Sequence, residues 1–188
     1  MEIYCVNYRE SRSKTVLSQS FAQIFRGEIP IVVCIGTDAV QGDSLGPLTG
    51  SLLKERILGK TLVLGNMDCP ITAKEIPSVA EFLREVFPKT PILAVDAALG
   101  EKQEIGTVKV LDKPLKPGLG VNKNLSPIGT SSVIAVVEEK CGNKNLLGAV
   151  RLSLIYKMAD LISSAVSDYI SNCYANSNRL RDEKYKAL

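Results

Sequence analysis

From Ile31 onward, apolar positions fall into short unbroken runs separated by helical stripes. Ile31-Val32-Val33-Cys34-Ile35 is a largely β-branched run closed by Gly36, which predicts a strand covered on both faces. Leu45 to Leu58 has helical spacing, and Thr61-Leu62-Val63-Leu64 predicts a second strand closed by Gly65-Asn66. Ser78, with Glu81 three positions on, fits a capping box for a short helix ending before Pro88. Pro91-Ile92-Leu93-Ala94-Val95 predicts a third buried strand, with Asp96 directly after it. This strand–helix alternation is the rhythm of a parallel α/β sheet with helices on both faces.

The flanks are less regular. Met1 to Tyr8 suits a short edge strand and Thr15 to Phe25 an amphipathic helix. Gly106 to Leu111 alternates apolar with polar residues, as a half-exposed antiparallel edge strand does, whereas Lys113 to Thr130 carries too many prolines and glycines to be anything but loop. Ser132 to Val137 predicts a last buried strand. Val150 to Tyr169 predicts a long helix with an apolar face through Leu154, Ile155, Met158, Leu161, Ile162 and Val166. The polar residues after Cys173 read as a frayed tail.

The 188 residues suit one domain, 1–188, in which 1–28 forms a strand and helix ahead of the main alternation and 174–188 the polar tail. Apolar residues make up 45% and charged residues 23%, which excludes wholesale disorder. Net charge is +3, with acidic and basic side chains interleaved as in Lys54-Glu55-Arg56, and tryptophan is absent. Neither a basic stripe nor a stacking platform is in view, so no nucleic-acid partner is expected. The five cysteines at 5, 34, 69, 141 and 173 form no CxxC pair, which fits a reducing compartment. Neither a signal peptide nor an apolar stretch of about 20 residues is seen, so the expectation is a soluble cytoplasmic chain with no membrane partner.

Histidine is also absent. A Ser-His-Asp triad, a Cys-His pair or an imidazole-based zinc site cannot be assembled, so proton transfer falls to carboxylates, lysine, thiol or water. Asp43 and Asp96, each placed after a predicted strand, are the leading candidates. In open α/β sheets, ligands bind outside the carboxyl ends of the strands. If the two strands are neighbours, both carboxylates face one crevice. Two negative charges about 6 Å apart at an effective dielectric of about 20 repel by roughly 3 kcal/mol, or about two pKa units. One carboxyl then keeps a proton near neutral pH while the other stays ionised, the division of labour that activates water in an aspartic protease. The alternative is that each Asp caps a turn or helix, as Asp43 ahead of Ser44-Leu45-Gly46-Pro47 is placed to do.

Other motifs are weaker. Gly36, Gly42 and Gly46 match neither phosphate-binding fingerprint. Cys69 lacks a partner base. Asp43, Asp68 and Asp96 could offer oxygens to a divalent ion, but such loop trios are common by chance.

Three blocks carry a resemblance: Cys34-Ile35-Gly36-Thr37 through Gly42-Asp43-Ser44-Leu45-Gly46-Pro47, Ala94-Val95-Asp96-Ala97-Ala98-Leu99-Gly100, and Lys116-Pro117-Gly118-Leu119-Gly120-Val121. In this order they closely resemble the YyaC family of sporulation proteins, relatives of the bacterial spore germination protease and, more distantly, of hydrogenase maturation peptidases. The resemblance implies a three-layer α/β/α sandwich around a five-stranded, mostly parallel mixed sheet. It implies Asp43 and Asp96 as the catalytic pair, and Gly36, Lys116, Gly118 and Gly120 as a substrate-binding border. The histidine that accompanies the acidic pair in hydrogenase maturation peptidases has no counterpart here, which argues against nickel recognition. The expected activity is an aspartic-type endopeptidase acting on a spore protein, with no metal and no cofactor. Self-association into a homo-oligomer is compatible with it. The rival readings are a non-catalytic protein that keeps the cleft to hold a peptide or partner, and a nucleotide-binding α/β domain.

Overall fold

In the computed structural model, which describes residues 2–117, 126–140 and 147–186, the apolar runs become strands of one sheet. In chain order the elements are β1 (Glu2–Asn7), α1 (Ser13–Phe25), β2 (Ile31–Cys34), α2 (Leu45–Ile57), β3 (Val63–Leu64), α3 (Ile76–Val86), β4 (Ile92–Gly100), β5 (Thr107–Leu111), β6 (Ser131–Glu139) and α4 (Leu152–Lys186). The strand order is β1-β5-β6-β4-β2-β3. β3, β2, β4 and β6 pair in parallel, and β5 runs against both its neighbours, β6 and β1.

Alternation along the strands gives the sheet two apolar faces. Val32, Cys34, Leu93, Val95, Val133 and Ala135 face a core shared with α1, α2 and α4. Ile31, Val33, Ile35, Ile92, Ala94 and Ile134 face the opposite side, against α3 and the paired residues Leu115 and Ile128. The architecture is therefore the expected α/β/α sandwich with a mixed sheet, but with six strands among the described residues instead of the five that the resemblance implies. β1 adds the sixth by pairing along β5, so β5 is interior and not the edge that its alternating sequence predicts.

Other boundaries also shift. β3 has only two residues, because Thr61 and Leu62 fall outside the ladder. α3 begins at Ile76, not after a cap at Ser78; Glu75 precedes it, and the Glu75 carboxylate accepts bonds from the Thr72 N–H (2.9 Å) and hydroxyl (2.5 Å). Pro77 is tolerated because an N–H in the first turn has no helical acceptor. α4 extends through the predicted tail to Lys186. It is anchored by the Tyr169 hydroxyl, which donates to the Glu28 carbonyl (2.8 Å) and accepts from the Gly27 N–H (3.2 Å), and by an Arg56–Asp160 ion pair at 2.5 Å.

Candidate active site

β2 lies between β3 and β4, so the chain leaves it through α2 on one face and returns to β4 through α3 on the other. The order reverses between β2 and β4, where crossovers on opposite faces leave a crevice at the strands' carboxyl ends. Both candidate aspartates sit there.

Asp43 is carried by a short 3-10 turn, Gln41–Ser44, that leads into α2. Its Oδ2 accepts the N–H of Thr37 at 3.0 Å, so the carboxylate is turned back onto the loop that leaves β2 and does not cap α2. The Ser44 hydroxyl tightens the turn by donating to the Gln41 carbonyl at 2.6 Å. Two glycines set the approach. Gly36 has φ +138°, and a Cβ there would lie 2.0 Å from the Asp43 carbonyl oxygen; at Gly46 a Cβ would lie 1.9 Å from the Ile35 carbonyl oxygen. These two glycines, which fit no phosphate-binding fingerprint, thus serve close backbone contact between β2, the Asp43 turn and α2.

Asp96 is not at a strand tip. β4 continues four residues past it to Gly100, and Asp96 pairs with Ile134 of β6. By alternation its side chain shares the face of Ile92 and Ala94. The two carboxyls interact. Burial raises the Asp96 pKa well above the ordinary carboxylate range and the nearby charge of Asp43 raises it further, with the Ala97 N–H pulling the other way. Burial also raises Asp43, opposed by the Thr37 N–H. Both residues are half-buried.

A family model described as "Protein of unknown function (DUF1256)" matches residues 5–165. The chain belongs to this family. It is 34% identical over 155 residues to the uncharacterized protein YyaC of Bacillus subtilis (strain 168), covering 82% of this chain and 75% of that protein. Among solved structures, it is similar to the [NiFe] hydrogenase maturation protease HycI from Thermococcus kodakarensis KOD1, at 21% identity and a TM-score of 0.48, over 83% of this chain and 99% of that one.

The remaining candidates of this DUF1256 chain separate. Lys116 is exposed beside the Leu115–Ile128 bridge and, among the described residues, makes no ion pair with either aspartate. Gly118 and Gly120 lie outside the described residues. Among the described residues no third Asp, Glu, Cys or His joins the pair, so Asp68 does not complete a carboxylate trio. Cys69 is exposed, its N–H held by the Asn66 side chain at 2.7 Å, whereas burial pushes the Cys34 thiol up to about 12. Two supports escape sequence reading. Thr37 supplies the N–H to Asp43, and Leu147 and Val150 pack against Gly42. The sequence signals for Thr37 are its place one residue after Gly36 and within the first of the three blocks.

Proposed function

We propose that this protein is an aspartic-type endopeptidase in which Asp43 and Asp96 share one proton and activate water against a peptide carbonyl. The observation that carries this reading is the juxtaposition of two half-buried carboxyls at the β2/β4 switch point, with Asp96 the more strongly biased toward its protonated form. Asp43, raised by burial but less strongly biased than Asp96 and with the Thr37 N–H favouring its anion, is the general base that takes a proton from water. Asp96, kept neutral by burial and by Asp43, donates a hydrogen bond to the carbonyl oxygen and then its proton. Gly36 positions Asp43 through backbone contact. The three sequence blocks support a protein of the sporulating cell as substrate and the cytoplasm as the place of action.

The test is incubation with small acid-soluble spore proteins and with β-casein, with new N-termini counted by mass spectrometry. Asp43→Asn and Asp96→Asn should each lower kcat/KM by roughly a thousandfold or more while leaving the far-UV circular dichroism unchanged. Cleavage at the wild-type rate in both variants would remove the mechanism.

A further inference from the structure

Among the described residues, β4 is flanked by strands on both sides along its first half and on one side along its second. β2 pairs with it from Ile31↔Ile92 to Cys34↔Val95, and the last bond on this side is from the Ile35 N–H to the Val95 carbonyl at 2.8 Å. The chain then leaves: the Gly36 N–H donates to Ile71 at 2.9 Å, and the Ile35 carbonyl is turned against Gly46. β6 stays with β4 to Gly100↔Glu139.

Direction of the main-chain groups follows from alternation. Pro91 and Val95 accept bonds from the β2 side, while Ile92 and Gly100 accept from the β6 side, from Thr130 and Lys140. Ala97 and Leu99 therefore turn their N–H and C=O groups toward the side that β2 has left. The register slip between Ala98 and Leu99 places the extra residue on β6, so the alternation on β4 holds. The Ala97 N–H is engaged by the Asp96 carboxyl. Among the described residues the Ala97 carbonyl and both main-chain groups of Leu99 have no backbone partner on this side. Residues 96–100 are all half-buried, and the strand ends at an open cavity of about 480 Å³ lined by Gly100, Glu101, Glu139 and Lys140 among others.

We infer that the open edge of β4 from Ala97 to Leu99 is the substrate track, on which an extended segment of the protein substrate pairs as an added strand. The inference deepens, and rests on, the peptidase reading above. The edge starts at the residue after Asp96, so a segment in register with it brings a peptide carbonyl past both carboxyls. A peptide N–H on the Ala97 carbonyl and a peptide C=O on the Leu99 N–H continue the parallel pattern that Ile35 breaks off. The small side chains of Ala97 and Ala98 leave room beside the strand. Such pairing uses main-chain groups and so selects for extended, unfolded chain before it selects for sequence.

The full chain carrying Asp96→Asn, which keeps the edge but not the proposed chemistry, is followed by amide hydrogen exchange with β-casein, an unstructured protein, as probe. In the free chain the Leu99 amide should exchange roughly a hundredfold faster than Ala98, which faces β6. Saturating casein should slow Leu99 at least about tenfold. A second variant, Leu99→Pro, removes the donor without touching the β6 ladder. It should melt within a few degrees of wild type yet lose at least about tenfold in kcat/KM on casein, with the loss mostly in KM. Slow Leu99 exchange in the free chain, or no slowing by casein, overturns the inference. Slowing that depends on the protein's own concentration without casein also overturns it, in favour of edge-to-edge pairing of two copies. Casein protection at Leu99 without dyad-dependent cleavage would retain the track and reject the peptidase; dyad-dependent cleavage with Leu99 unprotected would do the reverse.

Discussion

Asp96 carries a carboxyl where burial and a neighbouring anion both oppose ionisation, and this has a cost in stability. Below the unfolded carboxylate pKa of about 4, the group is neutral in both states and has no such effect. As pH rises past that value the unfolded chain ionises first, and native stability falls until pH passes the raised native pKa. Asp96→Asn should therefore be neutral near pH 4 and stabilising near pH 8, by about 1 kcal/mol or a few degrees in Tm. Differential scanning calorimetry at the two pH values checks this, and equal Tm differences at both would contradict it. Asp96 was legible as a candidate without coordinates, because it directly follows a buried apolar run in a chain with no histidine. Its partner contacts were not. The bond from the Thr37 N–H to Asp43 depends on Gly36 turning the loop back, and nothing in residue spacing specifies that turn.

Elements show why some sequence boundaries hold and others move. β2 was legible because four fully buried residues leave no polar interruption. The apolar run predicts an end at Val95 for β4, but the strand runs on through Ala97-Ala98-Leu99-Gly100, paired with β6 alone among the described residues. That continuation is a tertiary effect, since small residues carry little intrinsic strand preference. β5 looked like an edge because its pattern alternates; β1, distant in sequence, covers it. The contact between β2 and α2 makes its own prediction. A methyl at Gly46 would meet the Ile35 carbonyl oxygen at 1.9 Å, and rigid backbone lies on both sides. Gly46→Ala should cost about 2 kcal/mol or more, measured by urea denaturation with the slope unchanged. A loss below about 0.5 kcal/mol would show that strand and helix can separate freely.

At the scale of the whole molecule, the fold's contribution is to bring residues 43 and 96 together at one switch point, both half-buried. The layer order follows from the alternation of strands and helices, which is why the α/β/α class was legible from pattern and from the three sequence blocks. The resemblance implies five strands, whereas the pattern also marks Met1 to Tyr8 as a strand; what neither specifies is that β1 pairs with β5 over a separation of about a hundred residues. If the pair acts as one catalytic unit, kcat/KM should follow a bell in pH. The acid limb reports protonation of Asp43 and the alkaline limb loss of the Asp96 proton, both above the ordinary carboxylate range because both groups are raised. A profile flat across that range would remove the shared proton from the rate-limiting step.

The most direct measurement is the carboxyl-carbon NMR titration of Asp96 in the wild-type chain and in Asp43→Asn. The account predicts a wild-type midpoint well above the ordinary carboxylate range that moves down when the Asp43 charge is removed, while burial keeps it raised. An Asp96 midpoint in the ordinary range, or one that Asp43→Asn leaves in place, would contradict it.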